Sequence, residues 1–380
     1  MRADGTVVAW GENGGAQSAL PTGLSGVVGI AAGNHHCVAV RVDGTLAAWG
    51  SNYSGESIVP GSLNDVVAVA TRTVRTIVLR ADGRIVLIGQ YTYVPPGLVG
   101  VVDVALGFAT SVALKDDGTI TVWGPPFGPM WNAPSLSGVV SIAAGNGHGL
   151  ALQREGTVVA WGDNSYGQST VPAGLSNVIS IAAGENHSLA LKSDGTVVAW
   201  GANNESQSTV PSGLTGAVAI AGGVDHTMVL KGDGKLVTWG SGSPTMKPPG
   251  GDNVLAIAGG GGYSLALKSD GTLAAWSDGS PVPTPVRSGV MSIAAGGNRY
   301  LALVGPPPAP SKLGDGERLS DGSVRLGLYA EAGRSYMVQG SPDLLNWIGV
   351  RALVGSGRPT SLADPLATNF SRRFYRTVTP

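Results

Sequence analysis

Residues 180–201 read SIAAGENHSLALKSDGTVVAWG, and altered copies of this stretch recur about every 38 residues from the N-terminus to about residue 304. A period of that length marks a propeller or solenoid, whose units bury their apolar faces only by stacking on one another. The phase is set by an acidic residue followed by Gly, at Asp4, Asp43, Asp82, Asp117, Glu155, Asp194, Asp233 and Asp270. The intervals are 39, 39, 35, 38, 39, 39 and 37 residues. Eight copies follow, and the step from Asp82 to Asp117 is the shortest.

Each unit reads as strands. Its apolar runs are short, rich in Val, Ile, Leu and Ala, and interrupted by Gly and Pro too often for helices. In the copy quoted, Val178 to Ala183 is an almost wholly apolar run, expected to be buried on both faces, and Gly184, Glu185 and Asn186 turn the chain. His187 to Lys192 runs back, and Asp194-Gly195 predicts a two-residue type I′ hairpin leading to Thr196–Trp200. Gln207 to Val210, stopped by Pro211, is expected as a fourth, outer strand. The N-terminus supplies only the second half of a unit (Thr6 to Gly11, then Gln17 to Pro21). The last repeat supplies only the first half, Val290 to Val304. Pairing the two halves closes a ring without leaving open edges. The expected fold is an all-β propeller of eight blades, with seven as the alternative.

The AGxxH and WG pattern in these residues resembles the regulator of chromosome condensation family, over roughly residues 1 to 304. Six Trp-Gly pairs (at Trp10, Trp49, Trp123, Trp161, Trp200 and Trp239) fall at one repeat phase, with Trp276 before Ser277 completing the set. The spacing is similar to that of the family's compact bacterial propellers, which include a secreted β-lactamase inhibitor. The resemblance implies the fold and a seven-bladed norm, but it does not imply one function. The inhibitor branch implies aromatic-rich turns, whereas the AGxx turns here are mainly polar, so β-lactamase inhibition is not expected. Guanine nucleotide exchange is not expected either, because the repeat is compact and carries no inserted wedge.

Composition bounds the rest. The 60 Gly and 24 Pro of 380 residues exceed average usage, while charged residues at 13% are about half the usual share. A net charge of −1 without Lys/Arg clusters argues against grip on a nucleic-acid backbone. Gly305 to Pro310 is a Pro-rich spacer (GPPPAP). The expected domains are the propeller (1–304), a linker (305–311) and a small all-β module (312–380). Alternation at Ser323–Tyr329 and Ser335–Gln339 and a closing strand Arg373–Val378 mark that module, whose YMVQGSPDLLNW and RRFYR segments resemble C-terminal modules of secreted bacterial repeat proteins. Cys37 is the only cysteine, which excludes an intrachain disulfide and a cysteine-based zinc site. No apolar run is long enough to span a membrane as a helix. Met1 to Gly5 aligns with Leu79 to Gly83, so the chain begins inside a repeat strand; a truncated start is expected, with a secretion signal or more repeats upstream. An extracytoplasmic, monomeric protein is the expectation.

Four histidines (His36, His148, His187 and His226) share one phase and could suggest a metal ring. Arg75, Thr110, Tyr263 and Arg299 hold that phase in the other units, and equivalent positions on adjacent blades lie too far apart for coordination at about 2 Å. They are read as scaffold, with no metal and no cofactor. The repeated aspartates are turn formers rather than acid–base pairs, and the Trp-Gly tryptophans are core. Function is therefore expected in the loops. Units two and three depart most from the pattern: Thr71-Arg72-Thr73-Val74-Arg75 replaces the AGxxH turn, and Pro125 to Trp131 forms an apolar loop. A partner-binding patch is expected from Arg72, Arg75, Tyr91, Tyr93, Phe108, Phe127 and Trp131. The function expected is non-enzymatic binding of a protein or envelope component. Polysaccharide binding or cleavage is the alternative, for which Glu12, Asp163 and Glu205 are the loop carboxylates.

Overall fold

A computed structural model describes residues 5–108, 110–124, 133–241, 252–277, 280–281, 288–297 and 299–305, followed by 312–319, 324–329, 335–341, 348–354, 360–364 and 374–378. Up to residue 305 the described chain forms eight antiparallel sheets, one per repeat. Blade five, which contains most of the quoted stretch, consists of Val178–Ala183, His187–Lys192 and Val197–Gly201. The first strands of blades one to four are Val27–Ala32, Val66–Arg72, Val101–Leu106 and Val139–Ala144. Those of blades six and seven are Ala217–Gly222 and Val254–Gly259.

Blade eight is made from both parts of the chain. Thr6–Gly11 pairs with Arg299–Val304, which pairs in turn with Val290–Gly296. First strands of successive blades touch all the way round, and Val290–Gly296 touches both Val254–Gly259 and Val27–Ala32. The ring therefore closes at eight, not seven. At the closing joint Val7, Met291, Leu301 and Leu303 pack against Val27, Cys37, Ala39 and Trp49. The other joints repeat this, as where Leu150 and Leu152 of blade four meet Val178, Ile181 and Trp200 of blade five.

Three local expectations are corrected. The apolar first strand is only half-buried, whereas the middle strand His187–Lys192 is buried along nearly its whole length. First strands line the axis, so one side of each lacks a neighbouring sheet. The hairpin at Asp194 is a three-residue loop: Gly195 N–H donates to Lys192 O and Lys192 N–H to Thr196 O, and only Gly195 has positive φ (+78°). Asp194 Oδ1 accepts from both the Thr196 amide and hydroxyl (2.9 and 2.6 Å), which favours a type I turn with a Gly bulge over a type I′ turn. The outer strand Gln207–Val210 is absent. Asn203 Oδ1 accepts from Ser208 N–H and Thr209 N–H donates to Ser206 O, so the loop satisfies its own backbone and has no need of a ladder. Blades have three strands, except blade seven, where Ser280–Pro281 adds a short fourth.

Every first strand carries a one-residue register shift against its partner, between Val178 and Ser180 in blade five. Such bulges increase local twist. Beyond residue 311 two further three-stranded antiparallel sheets occur. One contains Lys312–Arg318, Val324–Tyr329 and Thr360–Asp364; the other contains Ile348–Val354, Ser335–Ser341 and Phe374–Val378. The spacer itself, 306–311, lies outside the described residues. Among the described residues no helix is long and apolar enough to cross a membrane.

Candidate binding face

The turn after each first strand and the loop after each third strand lie at the same end of the blade, because the middle strand is antiparallel to both. Their backbones join there: Asp163 N–H donates to Gly147 O (2.7 Å), Ala202 to Asn186 (2.8 Å) and Ser241 to Asp225 (2.7 Å). The two sets of variable loops are thus one surface, and the Asp-Gly turns occupy the opposite face.

The histidines hold this surface together. His148 Nε2 lies 3.0 Å from Ser188 Oγ on the next blade, His187 Nε2 lies 3.0 Å from Thr227 Oγ1, and His226 Nε2 lies 2.8 Å from Ser264 Oγ. His36 reaches Thr76 in the same way, at 2.7 Å. The hydroxyls of Ser188 and Thr227 donate their single protons to Gln168 O and Gln207 O (2.9 Å each). They must therefore accept from His148 and His187, which fixes both rings as the Nε2–H tautomer. The Nδ1 atoms of those rings are buried without a partner. Desolvation in the blade joints lowers all four pKa values to about 4, so the rings are neutral donors at neutral pH. Gly184 and Gly223 precede His187 and His226 by three residues because a Cβ there would collide with the imidazole.

Gln17, Gln168 and Gln207 form a second set of staples. Each is buried, and its carbonyl accepts the indole N–H of the next blade's tryptophan: Trp49 at 2.8 Å, Trp200 at 2.9 Å and Trp239 at 2.9 Å. The Gln168 side chain also fixes its own loop, accepting from Tyr166 N–H and donating to Asp163 Oδ2. Blade two, with the short repeat, lacks this bracket, and Trp123 Nε1 is left without a partner.

Among the expected patch residues Arg75 is corrected: it is 2% exposed and stands at the histidine phase. Its guanidinium donates to Gly107 O (3.1 Å), Phe108 O (3.2 Å) and Thr110 O (3.4 Å) of blade three, so it supports the patch from beneath. Arg72 is half-buried at the end of its strand; desolvation lowers its pKa, opposed by the charge of Glu185. Tyr91, Tyr93 and Phe108 are 49–62% exposed on blades two and three. Phe127 and Trp131 lie outside the described residues.

Two further exposed aromatic residues lie on the same face. Tyr53 is fully exposed and Tyr166 half-exposed, in the loops of blades one and four. Their loops are variable in sequence, but nothing local says they share a face with Phe108. Among the described residues, every exposed aromatic side chain falls in the turns and loops of this face on four consecutive blades. The turns are linked by backbone bonds around the axis: Phe108 N–H to Asn146 O (3.2 Å), Asn146 to Glu185 (2.8 Å) and Glu185 to Gly223 (3.1 Å). The carboxylates Glu12, Asp163 and Glu205 stay on separate blades, and no group of three or more His, Cys, Asp or Glu side chains gathers as a metal site among the described residues.

The model of the Regulator of chromosome condensation (RCC1) repeat matches residues 27–56, 139–168 and 178–207. Three of the chain's repeats are RCC1 repeats. Each matched segment runs from the start of a first strand to Gln168, to Gln207 or, at the same repeat position, to the buried Glu56. Solved structures similar to this chain include yeast RCC1 (Prp20). Prp20p of Saccharomyces cerevisiae aligns at 19% identity and a TM-score of 0.54, covering 81% of this chain and 93% of that one. Human WBSCR16 aligns at 19% identity and 0.52, covering 80% and 99%. The ectodomain of the Physcomitrella patens receptor kinase CR4 aligns at 22% identity and 0.51, covering 68% and 75%. These likenesses establish the fold. No curated protein matches the chain.

Proposed function

We propose that this RCC1-type propeller is a non-enzymatic scaffold that binds a protein through the face carrying the AGxx turns. The observation that carries the reading is that, among the described residues, exposed aromatic side chains are confined to that face, across blades one to four. Large aromatic anchors contribute most of the energy of protein interfaces, often above about 2 kcal/mol each, and stranded apolar side chains gathered on one side mark such a surface. The solved structure of Prp20p is described with binding to Gsp1p and histones, so protein binding is known on this fold at low identity. The partner is an envelope or secreted protein of a bacterial host, the propeller acts as a monomer outside the cytoplasm, and the segment after residue 311 is a separate module. The scarcity of charge and the repeat-rich organisation support this setting.

The test is affinity capture from host envelope and secreted fractions with the full chain and with a Tyr91→Ala, Tyr93→Ala, Phe108→Ala variant. A protein retained near stoichiometry by the first and lost by the second supports the reading. Retention of glycan without protein would transfer the face to the polysaccharide alternative.

A further inference from the structure

The charges of the two faces are arranged differently. At the Asp-Gly face carboxylates have cations beside them: Lys115 Nζ lies 3.1 Å from Asp117, Lys192 lies 3.3 Å from Asp194, and Arg80 lies 2.9 Å from Asp65. Every lysine of the described propeller is on that face, including Lys231, Lys235 and Lys268. The AGxx face has the reverse composition. Its exposed or half-buried charges among the described residues are Glu12, Asp163, Glu185, Glu205 and Asp225 against the single cation Arg72, since Arg75 and Arg299 are buried in blade joints.

Three of these carboxylates are uncompensated. Asp163 is held by Ser165 Oγ (2.6 Å) and Gln168 Nε2 (2.9 Å), and Asp225 by Gln207 Nε2 (3.2 Å). Those donors are neutral, so they fix the carboxylates in place without cancelling their charge. Glu205 is exposed, and only its backbone N–H is engaged, by Gln207 Oε1. Among the described residues no cation lies within ion-pair distance of the three. The backbone-linked turns place these acids on blades four to six, directly after the aromatic blades one to four, with Tyr166 and Asp163 in the same loop. An exposed tyrosine beside a fixed carboxylate suits a cationic side chain, which stacks on the ring while pairing with the acid.

Building on the proposed docking face, we propose that the partner presents a basic segment, rich in Arg or Lys interspersed with apolar residues, to the arc running from Tyr53 on blade one to Asp225 on blade six. The apolar side chains of that segment lie on Tyr91, Tyr93 and Phe108, and its cations on Tyr166, Asp163, Glu205 and Asp225. Charge complementarity of this kind sets orientation and association rate and weakens with salt.

The experiment titrates the full chain with two labelled octapeptides, one alternating Arg and Leu and one alternating Glu and Leu, at low and at physiological salt. Binding of the Arg peptide alone, weakened by salt, is the expected result. A D163N/E205Q/D225N variant should bind it about tenfold less tightly, summing the charge contacts of exposed Glu205 and half-buried Asp163 and Asp225. A D116N/E155Q/D252N variant changes the same amount of charge on the opposite face and should bind as the parent does. Equal binding of the Glu peptide, or equal loss in both variants, overturns the inference. If Tyr91→Ala, Tyr93→Ala, Phe108→Ala abolishes protein capture while D163N/E205Q/D225N retains it, docking on this face stands and the basic partner falls.

Discussion

At the scale of single residues, the fold relies on side chains that cross from one blade to the next. His187 donates to Thr227, which donates to Gln207 O, which also accepts from Trp239, so one carbonyl of blade five gathers two donors from blade six. Arg75 and Arg299 do the same work where histidine is absent, Arg299 reaching Gly33 O at 3.1 Å across the closing joint. The histidines also give stability a pH dependence. Their folded-state pKa values of about 4 lie below the unfolded value of 6.5, so the unfolded chain takes up protons first on acidification. The stabilisation is complete above pH 6.5, falls as pH drops from 6.5 towards 4, and has gone below that. Within the window each histidine costs about 1.4 kcal/mol per pH unit. Thermal unfolding followed at pH 7, 5.5 and 4.5 should show an accelerating loss of Tm, and His148→Gln should flatten the curve. A Tm independent of pH would refute the burial of neutral rings.

At the scale of elements, the strands repeat closely and the connections do not. Within the loop from Gly162 to Gln168, Gln168 accepts from Tyr166 N–H and donates to Asp163, and that geometry presents Tyr166. Gln168→Ala removes both side-chain bonds and leaves a buried gap, and should destabilise the protein by about 2 kcal/mol in urea unfolding. Replacing the exposed Glu12 should change stability by under about 0.5 kcal/mol. Equal effects would mean that the bracket is ornamental. The sequence shows the interval from Asp82 to Asp117 to be the shortest, and the structure shows that the bracket is missing there, with Trp123 Nε1 left unpartnered.

At the scale of the whole molecule, closure of the ring depends on Thr6–Gly11. This strand covers Arg299–Val304, and its Val7 fills the joint with Leu301 and Leu303. Removing residues 1–11 would open an apolar edge. The truncated chain should unfold less cooperatively and associate in sedimentation; a sharp monomeric transition would show that seven blades suffice. The sequence by itself determined the repeat, the strands and the complementary halves, because an alternating apolar pattern and an Asp-Gly phase are local properties that survive without neighbours. It also determined that the tryptophans at this phase are core, and six of the seven are buried, Trp10 of the closing blade being half-buried. Only the tertiary structure decided that Arg75 is buried while Phe108 is exposed. The same structure placed Tyr53 and Tyr166 on the face of Tyr91 and set Asp163, Glu205 and Asp225 apart from every described lysine of the propeller. Those facts depend on which loop meets which blade across the ring, a relation between residues up to hundreds of positions apart that no local pattern encodes.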